Sequence, residues 1–139
     1  MTVRPIGLAW LALVLPAGLV GQQPGTALPS LKSPERLTAV LELRGLGPRE
    51  TPRVRFEWAP VPGATAYRLT GTVTDRETWR VSITEHQVTS VNAREWTPTR
   101  VSYETPLNPG LYSWKLTALR GPADKGDQEH PAVATFEVR

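Results

Sequence analysis

Val54-Arg55-Phe56-Glu57-Trp58-Ala59-Pro60-Val61-Pro62-Gly63-Ala64-Thr65-Ala66-Tyr67-Arg68-Leu69 is the stretch that decides the fold. Val54, Phe56 and Trp58 alternate with Arg53, Arg55 and Glu57. Successive strand side chains point to opposite faces, so this run makes one apolar and one wet surface. Pro62 fixes its φ and Gly63 tolerates a positive one, which is the chemistry of a tight turn. A second alternating run follows at once: Tyr67, Leu69 and Val73 against Arg68, Thr70, Thr72 and Thr74.

The same period of two recurs outward in both directions. Leu37, Ala39, Leu41 and Leu43 oppose Thr38, Glu42 and Arg44. Trp79, Val81 and Ile83 oppose Arg80, Ser82 and Thr84, and are expected to face inward. Tyr112, Trp114, Leu116 and Ala118 oppose Ser113, Lys115 and Thr117; Ala134, Phe136 and Val138 close the chain against Thr135, Glu137 and Arg139. One wet face per strand indicates antiparallel sheets, and apolar residues do not recur at helical spacing. Six clear runs, with a weaker one near Val101 and Tyr103, predict an all-β, antiparallel seven-stranded sandwich. Glu85–Pro98 shows no clear strand.

The opening stretch resembles the fibronectin type III pattern, in which a second-strand Trp (Trp58) precedes a Pro-rich turn and a third-strand Tyr (Tyr67). Leu107-Asn108-Pro109-Gly110-Leu111-Tyr112-Ser113-Trp114 resembles that family's leucine-proline-glycine turn and tyrosine corner, and Phe136-Glu137-Val138 its closing strand. The resemblance covers residues 35–139. It implies an immunoglobulin-like sandwich with Trp58 between the sheets and the Tyr112 hydroxyl bonded back to nearby backbone.

Ahead of this domain, Arg4 precedes an uncharged apolar run, Ile6–Val20, and then Gly21-Gln22-Gln23. This is the layout of a secretory signal peptide, 1–21, cleaved after Gly21; an N-terminal hydrophobic signal helix is expected there. At ~1.5 Å per residue the run falls short of a ~30 Å hydrocarbon core, and Pro16 weakens a spanning helix. Leu19 is bulky for the cleavage site, so an uncleaved membrane anchor is the alternative. Trp10 belongs to this segment. Residues 22–34 carry Pro, Gly and Ser without periodicity and read as a flexible linker. Export predicts a periplasmic or extracellular protein.

The 139 residues suit one domain, and 14 Pro with 11 Gly suit short strands and turns. Zero cysteines exclude a disulfide scaffold, a thiolate metal site and a cysteine nucleophile. The net charge of +3 is spread along the chain, so no nucleic-acid partner is announced. Arg44, Arg53 and Arg55 are expected on one sheet surface, and Arg68, Arg80 and Lys115 on the other. Either set would meet an anionic partner, or, with Glu42, Glu57 and Glu137 interspersed, simply keep the sheets soluble.

No catalytic set emerges. His86 and His130, the only 2 histidines, have no metal-ligand spacing, and no nucleophile elbow or phosphate loop is present. Glu85 and His86 are neighbours on opposite strand faces. Asp124, Asp127 and Glu129 would offer Ca²⁺ hard oxygens, but Lys125 sits among them and the spacing is not an EF-hand; a solvated turn is the better reading. Asp75 and Glu77 would serve a carboxylate hydrolase only across a cleft a small sandwich lacks. No cofactor and no metal are expected.

Trp96 lies outside the alternation, between Arg94 and Arg100. An exposed indole beside guanidinium groups would anchor a protein partner or stack on a sugar ring; alternatively Trp96 folds back, with Val88 and Val91, to cap the sandwich. The expectation is a non-enzymatic interaction module, protein-binding in the cell envelope or extracellular space. The alternative is a carbohydrate- or cell-wall-binding domain, with Trp96 ahead of Trp79 as the platform. Membrane contact is expected only through an uncleaved N-terminal segment.

Overall fold

The computed structural model describes residues 29–42 and 51–139. The signal segment, the first part of the linker, Leu43 and Arg44 lie outside the described residues. Eight strands occur among those described: β1 (Thr38–Glu42), β2 (Arg53–Trp58), β3 (Ala66–Thr74), β4 (Val81–Val88), β5 (Glu95–Trp96), β6 (Val101–Pro106), β7 (Gly110–Leu119) and β8 (Ala132–Val138). They form two four-stranded sheets, β1-β2-β6-β5 and β4-β3-β7-β8, with every pairing antiparallel.

The strand count is eight, not seven. Part of the stretch without a clear pattern, Glu85–Val88, simply continues β4. The extra strand is the two-residue β5, too short for any alternation to show.

The inner faces carry Val54, Phe56, Trp58, Tyr67, Leu69, Leu116 and Trp114, all buried. Each such large side chain contributes roughly 1.5–3 kcal/mol through apolar burial. Trp114 is the centre, with Phe56 tilted against it at 4.9 Å between ring centroids. Its indole fits only because Gly71 lies across from it on β3: a Cβ there would sit 2.7 Å from three ring atoms.

The two local ties expected from the sequence are present. Gly63 holds φ at +87° and Ala64 N–H donates to Val61 O at 3.0 Å, closing the Pro62-Gly63 turn. Tyr67 Oη accepts the Val61 N–H at 2.7 Å, which fastens that turn to β3. Tyr112 Oη donates to Asn108 O at 2.7 Å. Over residues 29–34, Leu31 packs against the core, and Arg120 donates to Pro29 O at 3.1 Å.

One face assignment is overturned. Trp79, Val81 and Ile83 do not face inward. The register of β4 on β3 places Val73 opposite Ser82, Gly71 opposite Thr84 and Leu69 opposite His86, so the polar set of β4 lies on the inner side. Alternation alone cannot say which face is inner, and here the opposite sheet does not reach. Burial climbs along β4 from exposed Ser82 through half-buried Thr84 and His86 to buried Val88. The start of β4 therefore overhangs, and its inner face needs no apolar residues. Arg80 precedes β4 and is exposed in the loop that launches it, so it does not join Arg68 and Lys115 on a strand face.

Candidate functional site

Trp96 is half-buried, its ring 5.6 Å from that of Tyr67 and packed on the core. Val88 is part of the core, whereas Val91 is exposed. Arg94 pairs with Glu104 at 3.0 Å and Arg100 with Glu95 at 3.2 Å. The structure thus brings the three residues to one end of the first sheet but leaves neither guanidinium unpaired.

The described residues on the outer face of that sheet follow the same rule. Arg55 bridges Glu57 at 2.7 Å and Glu42 at 3.0 Å, and Arg53 lies 3.7 Å from Glu104. Burial opposes ionisation of Glu95, but the Ser102 hydroxyl and the Arg100 guanidinium outweigh it and hold the carboxyl below the usual range. Each basic residue here answers a carboxylate, so the lattice is internally neutralised and an anion would have to break pairs to enter.

Three further titratable groups are similarly engaged. His86 is half-buried, stacked on Trp114 and 3.2 Å from Tyr103 Oη; burial lowers its pKa. Asp124 accepts the backbone N–H groups of Arg120 and Gly126, which hold it below the ordinary carboxylate range. Asp127 accepts those of Glu129 and His130. Among the described residues no three His, Asp or Glu side chains converge as a metal cluster.

The free edge of the second sheet is different in kind. Trp79, Val81 and Ile83 are 66, 63 and 72% exposed; Val81 and Ile83 share one side of β4, Trp79 stands in the loop just before it, and the three form an exposed apolar ridge. The loop that launches it is built by Asp75, whose carboxylate accepts the Glu77 and Thr78 N–H groups at 2.8 Å each; these bonds depress its pKa. Trp79 N–H donates to Asp75 O at 2.8 Å, and Trp79 itself holds φ at +58°. A bulky residue in the left-handed region is a true outlier, and such outliers cluster where function requires them.

The backbone of the ridge is also available. Asp75 N–H donates to Arg80 O at 2.9 Å, which marks that position as a hydrogen-bonded pair. Because bonded and non-bonded pairs alternate along an antiparallel ladder, Ser82, Thr84 and His86 direct their N–H and C=O groups to β3. Val81, Ile83, Glu85 and Gln87 direct theirs away from it. The Gln87 carbonyl agrees: it accepts Asn92 Nδ2 at 2.8 Å. Val81, Ile83 and Glu85 therefore present their main-chain donors and acceptors on an edge that no described strand covers. No Lys, Pro or bulge guards Val81–Glu85, the usual means of blunting an edge.

Comparison with known proteins adds no assignment: no family model, no curated protein and no solved structure matches this chain. The ridge was missed in the sequence because its apolar alternation is also the signature of a core face. The signal that could have found it is the Asp75-Arg76-Glu77-Thr78-Trp79 loop, whose Asx turn fixes the register that sends Ser82 inward.

Proposed function

We propose that this chain is an exported, non-enzymatic interaction module, a fibronectin type III-like sandwich that binds a protein partner in the cell envelope or extracellular space. The strand orders, the buried Trp58 and the Tyr112 tie support the fibronectin type III-like reading. Arg4 and the Ile6–Val20 run support export. The observation that carries the binding reading is the ridge of Trp79, Val81 and Ile83, three large apolar side chains standing in water along an open strand edge. Exposed apolar patches beside unpaired strands mark contact sites, and Trp is among the residues most enriched at binding hot spots. The contact centre therefore moves from Trp96, Arg94 and Arg100 to β4.

Photo-crosslinkers placed at Trp79 and Ile83, with Val91 as the exposed control, test this reading in the producing cell. Discrete protein adducts from positions 79 and 83, absent from 91, with those from position 79 abolished by Ile83→Lys, are the expected result. Adducts of equal yield from all three positions, or none, would refute it. The exposed Trp79 indole also suits a sugar ring, and it replaces Trp96 as the platform of that second reading. A flat fluorescence response across a glycan panel removes it.

A further inference from the structure

The outer face of the second sheet holds a cation that answers no carboxylate. Lys115 on β7 is exposed and forms no ion pair with any described residue. Thr70 and Val133 lie directly across from it, Ser113 and Thr117 flank it along the strand, and Arg68 and Thr72 stand in the neighbouring rows of β3. None is acidic. Nearby carboxylates are committed elsewhere: Glu85 to Arg68, Glu137 to Arg76 and Arg139, and Asp124 and Asp127 to backbone N–H groups of their own loop.

This part of the face is also walled. The loop between β7 and β8 turns back over it, and Arg68 holds the loop there. Its Nε meets Glu85 at 3.0 Å, while Nη1 and Nη2 donate to Lys125 O at 3.0 Å and Asp124 O at 3.2 Å. Gly126 passes so close that a Cβ on it would stand 3.0 Å from the Thr117 Cβ. The result is a groove of about 220 Å³, with Thr70, Lys115 and Thr117 as its floor and Gln128 and Pro131 as its wall.

Thr117 shows what the groove lacks. It is only 6% exposed and borders the groove, yet its hydroxyl makes no hydrogen bond to any described residue. Buried hydroxyls are ordinarily bonded, because leaving one unpaired costs stability. The Thr70 hydroxyl has no described partner either, and Gln128 Nε2 gives one of its two N–H groups to Lys125 O at 3.3 Å. Lys115 can only donate. The groove therefore offers a positive charge and several separate donors, and its lining contains no carboxylate.

We infer that this groove binds a tetrahedral oxyanion, a phosphate or sulfate group, with Lys115 as the counter-charge and Thr70, Thr117 and Gln128 as hydrogen-bond donors. A planar carboxylate is best matched by a guanidinium fork, and the Arg68 fork is spent on the loop. What stays available is a point charge with donors from two strands and a loop, which suits an anion with oxygens on several sides. Thr117 lies beneath the loop, so a single anionic end reaches it and a flat membrane surface does not. The groove is separate from the β4 ridge, and neither site rests on the other.

Backbone amide NMR of the full chain, titrated with inorganic phosphate, sulfate or a glycerol phosphate at constant ionic strength, tests the site. Saturable shifts at Thr70, Thr117, Gly126 and Gln128 are expected, with chloride and acetate inert; the tighter of free phosphate and its ester identifies the form in which the group arrives. Lys115→Met should weaken binding about tenfold or more, and Thr117→Val should weaken it less, with urea midpoints showing that both variants fold. Shifts that do not saturate, acetate binding as tight as phosphate, or affinity unchanged in Lys115→Met overturns the inference. So does binding to phosphatidylglycerol vesicles without any response to phosphate, sulfate or the ester, which would make the face a membrane contact.

Discussion

An L side chain held at φ +58°, as Trp79 is, costs about 1–2 kcal/mol relative to the right-handed region. Glycine adopts that conformation freely, but its greater freedom in the unfolded chain costs about 0.5–1 kcal/mol. The indole is mostly in water, so little packing is lost with it, and the bond from residue 79 N–H to Asp75 O survives. Trp79→Gly should therefore stabilise the domain by about 0.5–1 kcal/mol. For a domain of this size ~1 kcal/mol moves the thermal midpoint by ~4–8 °C, so a rise of a few degrees is expected. Trp79→Ala separates the two contributions: it removes the indole but keeps the backbone cost, and should stay close to wild type. Urea titrations followed by circular dichroism give both differences. On the proposed reading of the ridge as a contact surface, the same Gly variant should weaken capture, since the exposed indole is gone. A variant more stable yet less competent is the mark of strain retained for function. A Gly variant less stable than the Ala variant would sink the strain argument.

Gly71→Ala forces a methyl into the Trp114 ring and should cost about 1–3 kcal/mol, read as a lower urea midpoint with an unchanged slope. Tyr112→Phe loses the bond to Asn108 O and should cost about 0.5–1.5 kcal/mol in the same assay. His86 has its pKa lowered by burial, so the unfolded chain binds its proton first. Stability contributed by keeping His86 neutral is then complete above the unfolded value of about 6.5 and is lost as pH falls from there toward the folded pKa. Thermal midpoints measured across that window should decline for wild type, and His86→Gln should flatten the decline.

The sandwich was legible because its core strands are covered on one face and wet on the other. Val54, Phe56 and Trp58, or Tyr112, Trp114 and Leu116, have only one way to sit once the opposite sheet covers them. The turn at Pro62-Gly63 and the Tyr112 tie were legible for a local reason, since φ preference and a nearby carbonyl suffice. The edge was not. Trp79, Val81 and Ile83 repeat the core pattern on a strand that overhangs its partner sheet, where the energy that normally ties apolar residues to the inside is absent. Arg94 and Arg100 could be counted from the sequence, but their carboxylate partners come from pairings that no local pattern encodes. Glu104, for instance, reaches Arg94 only because β6 runs beside β5.

The tryptophans give this molecule a built-in optical gauge. Trp58 and Trp114 are sealed in the core, while Trp79 stands in solvent at the tip of the ridge. A water-soluble quencher reaches Trp79 most readily, the half-buried Trp96 less so, and spares the inner pair, and Trp79→Phe isolates the share that the ridge contributes. Blue-shifted emission then reports the integrity of the sandwich, and the quenchable red component reports whether the edge is covered. Occupancy and folding can be followed in one cuvette, without a label.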